Sequence, residues 1–194
     1  MKIKLSILIP TVPRRLRHFF PHITETLEKQ INDRKDIEIV GLYDNKRMKL
    51  GDKRNNLLSI ARGRYLTFVD DDDDIADTYI EDIMRALEKN PDADCVVYDV
   101  INDIDNYLQL HCRYGIEYEY HRKHNDWYGK PAHTHVWRSE IAKQCVFPSE
   151  TFGEDMDWVA QAWPKIVKQV RIDKVLYYYN YNTTVTETRR VEPD

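Results

Sequence analysis

The stretch Tyr65-Leu66-Thr67-Phe68-Val69-Asp70-Asp71-Asp72-Asp73-Asp74 decides the fold. Its first half is a β-rich, largely apolar run, and its second half is an unbroken series of aspartates. A strand cannot continue inward through unpaired carboxylates, because each is very costly to desolvate. The strand therefore ends near Val69 and the aspartates form a loop at its carboxyl end. The ordinary reading of an acidic run is a solvated loop that caps the next helix. Its place at the end of a buried strand argues instead for a cation. Carboxylate oxygens suit magnesium or manganese, which take one or two protein carboxylates and keep sites for phosphate oxygens. Alternate residues of an extended turn point to one side, so Asp70 and Asp72 form a natural pair.

Outward from this stretch the chain alternates between strand and helix signals. Lys4 to Ile9 is a short apolar run closed by Pro10, the pattern of a buried parallel strand ending at a loop. Leu16, Phe19, Phe20, Ile23 and Leu27 follow at helical spacing, with Pro21 expected to bend or restart the helix. Asp36 to Tyr43 is strand-like and ends in the turn-favouring pair Asp44-Asn45. After a polar loop, Lys46 to Gly51, Asp52 is expected to cap a helix carrying Leu57, Leu58, Ile60 and Ala61, stopped at Gly63. Beyond the aspartates, Thr78 opens a helix that closes at Asn90-Pro91, and Ala93 to Ile101 reads as a fourth strand. The alternation predicts an α/β fold with a Rossmann-like, mostly parallel central sheet, helices on both faces and ligands at the carboxyl ends of the strands. Asp44 and Asp70 both lie at such ends.

The second half is less regular. Tyr107 to Tyr120 predicts one or two strands and Ala132 to Trp137 another; Ser139 to Gln144 and Asp155 to Ile166 predict helices. Val175 to Tyr181 closes as a strand before the polar tail Asn182 to Asp194. With 194 residues, 42% of them hydrophobic, residues 1–194 are expected to form one domain. The 29 basic and 33 acidic residues give a formal charge of -4, so there is no global positive field for nucleic acid or an anionic membrane. The apolar start, Met1 to Pro10, is shorter than a signal-peptide core, and no window approaches the roughly 20 apolar residues of a membrane span. A soluble, cytoplasmic protein is the expectation. Cys95, Cys112 and Cys145 are far apart without metal-ligand spacing, and are expected to be reduced thiols.

Gly153-Glu154-Asp155 is a tight turn presenting two carboxylates at a helix start. Capping explains one of them, and a carboxylate there can also take a proton from an acceptor hydroxyl. His133 and His135 flank Thr134, and strand alternation would put both on one face. Trp127, Tyr128 and Trp137 either stack on a sugar ring or pack in the core. Tyr177, Tyr178 and Tyr179 are expected to pack the last strand.

Taken in order, Ser6-Ile7-Leu8-Ile9-Pro10-Thr11, Asp44, Gly51-Asp52-Lys53-Arg54-Asn55 before Ala61-Arg62-Gly63, the strand running into the aspartates, and Glu154-Asp155 resemble family 2 glycosyltransferases of the GT-A fold. The resemblance spans about Leu5 to Thr186 and is strongest through Asp74. It implies a nucleotide-sugar-binding half, about 1–101, and an acceptor half with a tail, about 102–194. Pro10, Thr11 and Val12 would cradle the nucleoside, Asp44 would face the base edge, and Arg54 would lie near base and ribose. Asp70 would lie near ribose and donor sugar, and Asp72 would hold Mn2+ or Mg2+ on the two phosphates. Asp71 and Asp73 enter only if the register slips, while Asp70 and His135 are further candidate metal ligands. Asp155 would be the base, with Glu154 orienting it or contacting the acceptor, and Arg189 and Arg190 sit in a tail that either folds over the pyrophosphate, as in family members, or stays disordered. The implied reaction is inverting transfer in a single displacement, from a UDP-sugar, or a GDP-sugar, to a saccharide or other hydroxyl-bearing acceptor. Nucleic acid is disfavoured as a partner, although a modified nucleobase stays open as acceptor. The chain lacks the QxxRW-type element and long extension of processive synthases, which argues against a polymerase.

Three rivals fit less well. A sugar nucleotidyltransferase would carry a glycine-rich loop after the first strand, and Pro10 to Arg17 contains no glycine. A phosphatase with a nucleophilic DxD aspartate would carry it after the first strand, not the third. A non-catalytic nucleotide-sugar-binding module would lose the base, whereas Asp155 is present.

Overall fold

The amino-terminal apolar run becomes β1 (Leu5–Thr11), buried along its whole length because a strand pairs with it on each side. The structure is a computed structural model and describes residues 2–182. Arg189 and Arg190 lie outside the described residues. After β1 come α1 (Phe19–Ile31), β2 (Ile37–Tyr43), α2 (Leu50–Ile60), β3 (Tyr65–Phe68), a two-residue β4 (Asp74–Ile75), α3 (Tyr79–Lys89) and β5 (Cys95–Ile104). The second half adds β6 (Leu108–Tyr114), β7 (His121–Lys123), β8 (Asp126–Gly129), β9 (Val136–Arg138), α4 (Ser139–Ala142), α5 (Glu154–Ala162) and β10 (Gln169–Tyr181).

The sheet runs β2-β1-β3-β9-β5-β6-β8-β7, with β10 beside β5 and β4 on β10. Strand β1 is parallel to β2 and β3, β9 is antiparallel to both β3 and β5, and β10 is parallel to β5. Strands β2, β1, β3, β5 and β10 therefore share one direction and deliver their carboxyl ends to one edge. Alternation along β1 separates the two cores. Leu5, Ile7 and Ile9 pack with Ile23 and Leu27 of α1 and with Ile80, Ile83 and Leu87 of α3. Leu8 faces the other way, into Leu57 and Leu58 of α2, Ile141 of α4 and Trp158 and Val159 of α5. Trp158 stacks on Phe147 and meets Trp137 edge-on, and all three are buried.

Several local expectations change. Pro21 falls in the first turn of α1, where its missing N–H has no intrahelical partner to lose, so it neither bends nor restarts the helix. Helix α2 starts at Leu50, so Asp52 sits inside its first turn; its carboxylate caps nothing and accepts from Ser149 Oγ at 2.8 Å. The strand expected over Ala132 to Trp137 is only β9, and residues 132–135 form a turn. The short β7–β8 hairpin had no legible alternation; it turns through His124, which has φ 57.

Two glycines allow close approaches that shape the site edge. A Cβ on Gly51 would lie 1.8 Å from the Pro148 carbonyl oxygen, and the Gly51 N–H donates to Glu150 O at 2.9 Å. Only glycine lets the segment before α5 press against the start of α2. Gly153 has φ 78, the left-handed region glycine enters without steric cost, and there the chain turns into α5.

Candidate active site

At the carboxyl edge of the sheet, the loop after β1, the start of α2, the aspartate turn after β3, Thr151 and Tyr179 of β10 enclose a cleft of about 220 Å³. Pro10, Thr11, Val12, Asp70 and Asp72, all sequence candidates, line it. Arg15, Lys46, Met48, Leu50, Lys53, Thr151 and Tyr179 line it too and were not singled out for this place. Thr151 and Tyr179 come from the second half, so the cleft is not built by residues 1–101 alone.

The turn splits the aspartates, its backbone closed by the Asp73 N–H donating to Asp70 O at 3.2 Å. Asp70 and Asp72 face the cleft. Asp71 points inward, accepting from Thr11 Oγ1 and, at 2.7 Å, from Arg15 Nη1, and it does not line the cleft. Asp71, a donor-binding candidate only if the register slipped, is instead bonded to Thr11 and Arg15. Asp73 is also buried: Tyr177 Oη donates to it at 2.7 Å and the Asn180 N–H at 2.8 Å, while Tyr177 Oη accepts the Asp70 N–H at 3.0 Å. Asp74 belongs to β4, opposite Tyr178. Burial pushes the Asp72 carboxyl above its ordinary range and the charges of Asp70 and Asp71 add to this, with Arg15 opposing. Burial also acts on Asp70, but Arg54 and His133 outweigh it and hold that carboxyl ionised well below the usual range.

Arg54 is almost fully buried rather than open to a base and ribose. Its Nη2 donates to both Asp70 oxygens at 3.1 and 3.2 Å, its Nε donates to Glu154 Oε1 at 3.1 Å, and it lies over the Phe68 ring at 5.2 Å. Glu154, expected to orient Asp155 or to contact the acceptor, is buried and paired with Arg54. It positions Asp70 through the guanidinium. Asp44 is engaged as well: Arg47 and Met48 N–H groups donate to Oδ2 at 2.6 and 2.8 Å, and Lys53 Nζ stands 2.6 Å from Oδ1. Burial raises the Asp44 carboxyl, but Lys53 and the two backbone donors win and bring it to about 2. Asp44, expected at the base edge, is not among the residues that line the cleft. Asp44 instead steadies Lys53, whose Nζ also donates to Thr11 O at 2.6 Å.

The two histidines part company because their turn is not a strand. His135 is fully buried; its Nδ1 accepts the Ala132 N–H at 2.8 Å and its Nε2 donates to Tyr98 O at 3.1 Å. Both nitrogens are used, and burial drops the ring to about 4, so His135 is a neutral core residue and not the metal ligand expected of it. His133 instead spans the site, with Nε2 3.8 Å from Asp70 Oδ2 and Nδ1 3.5 Å from Asp155 Oδ2. These are charge contacts longer than hydrogen bonds. Burial and Arg54 lower His133, and the two carboxylates outweigh them. Asp155, partly exposed at the start of α5, is raised by burial but brought to about 2 by His133 and Arg54. The buried Arg54 Nη1 and both His133 nitrogens have no hydrogen-bond partner, so unsatisfied donors collect between Asp70 and Asp155.

Of the aromatic candidates, Trp137 is core, Trp127 packs against Tyr114 and Tyr120, and Tyr128 stacks on His121 at 4.5 Å. Trp158 is likewise core, leaving no aromatic rim around Asp155 from α5. Among the described residues no group of three or more His, Cys, Asp or Glu side chains is poised around a metal position, and no helix is long and apolar enough to cross a membrane.

The cleft lies at the carboxyl edge of an α/β sheet, where such folds bind ligands, and Asp70 and Asp72 line it, an arrangement shared by GT-A proteins. The family model for glycosyl transferase family 2 matches residues 20–143, and the chain belongs to that family. No curated protein sequence matches. Among solved structures, residues 1–349 of S. aureus TarS superpose with a TM-score of 0.66 at 16% identity, covering 92% of this chain and 60% of that one. Full S. aureus TarS gives the same TM-score and identity, covering 93% and 37%. TarS 1–349 in complex with UDP-GlcNAc gives a TM-score of 0.64 at 15% identity, covering 93% and 59%. The chain thus spans about three fifths of the shorter TarS chain, and at these identities the likeness is one of fold.

Proposed function

We propose that this chain is a glycosyltransferase that takes a nucleoside-diphosphate sugar into the cleft between Thr11, Lys53, Asp70 and Tyr179 and passes the sugar to an acceptor hydroxyl beside Asp155. One observation carries the reading: His133 touches Asp70 and Asp155 at once, so the donor cleft and the expected base share a wall. UDP is the favoured nucleotide, in keeping with the UDP-GlcNAc held by the structurally similar TarS.

In this reading Asp155, ionised and partly open to solvent, accepts the proton of the acceptor hydroxyl as its oxygen attacks the anomeric carbon. The new C–O bond forms as the bond to the leaving phosphate breaks, the electron pair leaves with the nucleoside diphosphate, and the anomeric centre inverts. Arg54 and Glu154 hold Asp70 in place, and His133 sets Asp155 beside it. Asp72 and Asp70 would hold a magnesium or manganese ion: both carboxylates line the cleft, and a cation there relieves the crowding that raises Asp72. When bound, such an ion offsets the charge growing on the leaving diphosphate. The test is release of UDP from a panel of UDP-sugars with and without Mn2+. No release from any donor under either condition would refute the assignment.

A further inference from the structure

Arg15 lies at the end of a short 3-10 turn, Pro13–Arg15, directly after the cleft-lining loop, and its side chain is 9% exposed. Its guanidinium grips Asp72 with both arms: Nη1 donates to Oδ1 at 2.8 Å and Nη2 donates to Oδ2. Nη1 also donates to Asp71 Oδ1 at 2.7 Å. Both oxygens of the carboxylate best placed for a divalent ion are therefore engaged by a cation that the chain supplies itself. Arg15 and Asp72 line the same cleft wall. Asp71, turned away from the cleft and tied to Thr11, gives Arg15 a second anchor that does not depend on Asp72.

We propose that Arg15 is an exchangeable counter-ion: it neutralises Asp72 in the empty cleft and transfers to the donor's diphosphate when a divalent cation takes Asp72. The inference rests on the functional reading above and extends it to a residue that reading does not use. Three physical arguments support it. Arg54 serves Asp70, but without Arg15 the neighbouring Asp71 and Asp72 would stand without a cation in a partly buried turn, so the empty site needs Arg15 where it stands. An arriving divalent ion makes Arg15 surplus beside Asp72, and like charges then repel it. A planar guanidinium fork matches phosphate oxygens as well as it matches a carboxylate, so the diphosphate that enters with the metal offers an equivalent partner within the same cleft. The contact to Asp71 lets Arg15 pivot without leaving the turn.

The exchange predicts opposite effects of one substitution on two ligands, which loss of structure cannot mimic. Mn2+ binding, measured by electron paramagnetic resonance on the full chain without nucleotide, should tighten in Arg15→Ala because no guanidinium has to be displaced. UDP binding at saturating Mn2+, measured by calorimetry, should weaken on the order of tenfold, the worth of one charge-assisted contact. Arg15→Gln, which keeps most of the side chain and removes its charge, should move both affinities in the same directions and serves if the alanine variant does not melt cooperatively. Mn2+ affinity that is unchanged or weaker in a folded variant, or UDP affinity that is unchanged, overturns the exchange while leaving the glycosyltransferase reading intact. Wild-type protein that binds neither Mn2+ nor UDP overturns both.

Discussion

His133 Nδ1 lies 3.5 Å from Asp155 Oδ2, inside a turn that buries the imidazole and leaves the carboxylate partly open. The contact fixes the carboxylate at the amino end of α5, where the helix dipole also favours negative charge. Asp155→Asn keeps the shape and removes the base. Transfer should fall by about 10² to 10⁴-fold, the usual worth of a general base, while UDP affinity by calorimetry stays within a factor of two or so of wild type. Normal turnover in Asp155→Asn would show that the base lies elsewhere.

Arg54 joins Glu154 to Asp70 across the buried wall of the site. Arg54→Ala strands two carboxylates without their cation, and breaking a buried pair in this way costs about 3–5 kcal/mol. Urea denaturation should register a loss of that order. Adding Glu154→Gln to the variant should restore part of it, since one of the stranded charges is gone. A double variant less stable than Arg54→Ala would contradict the pairing.

His135 makes stability depend on pH. The ring titrates near 4 in the folded chain, against about 6.5 when exposed in the unfolded chain, so protonation favours unfolding. Its contribution is complete above pH 6.5 and is lost as pH falls toward 4, amounting to about 3 kcal/mol over that window. His133, raised by its carboxylates, works in the opposite sense, which is why the comparison must be with a variant. Between pH 7.5 and 4.5, His135→Gln should lose less stability than wild type in matched urea titrations. Parallel losses in the two proteins would exclude His135 as the source.

Gly51 carries the junction between α2 and the segment that leads to α5. In Gly51→Ala the new methyl meets the Pro148 carbonyl, so residues 148–151 must shift and carry Thr151 away from the cleft. Stability should drop by about 1–3 kcal/mol, as for other overpacked sites, and UDP affinity should fall with it. Wild-type UDP affinity in this variant would mean that Thr151 contributes nothing to the cleft.

How much of this was legible in the sequence depended on how local each signal was. The β1-α1-β2-α2-β3 alternation was readable because a buried parallel strand and an amphipathic helix each declare themselves within a short window. The grouping of Asp70 with Asp72 followed from alternation across one turn. Arg15 was hidden among Arg14 and Arg17, since no spacing says which of three nearby arginines turns inward. The burial of Arg54 and Glu154 was equally invisible: they are a hundred residues apart and meet only once α2 and α5 pack on one face. The histidine assignment failed for a definable reason: period-two reasoning was applied to residues 132–135, and a turn breaks that period.

Strand β10 has a consequence for the order of events during synthesis. Its Tyr177 and Asn180 close the aspartate turn, and its Tyr179 supplies a wall of the cleft. A nascent chain that has released everything through α5 still lacks those groups, so its aspartates stand unclamped and the cleft is missing a side. The aspartate turn and the cleft are therefore complete only once β10 has docked beside β5.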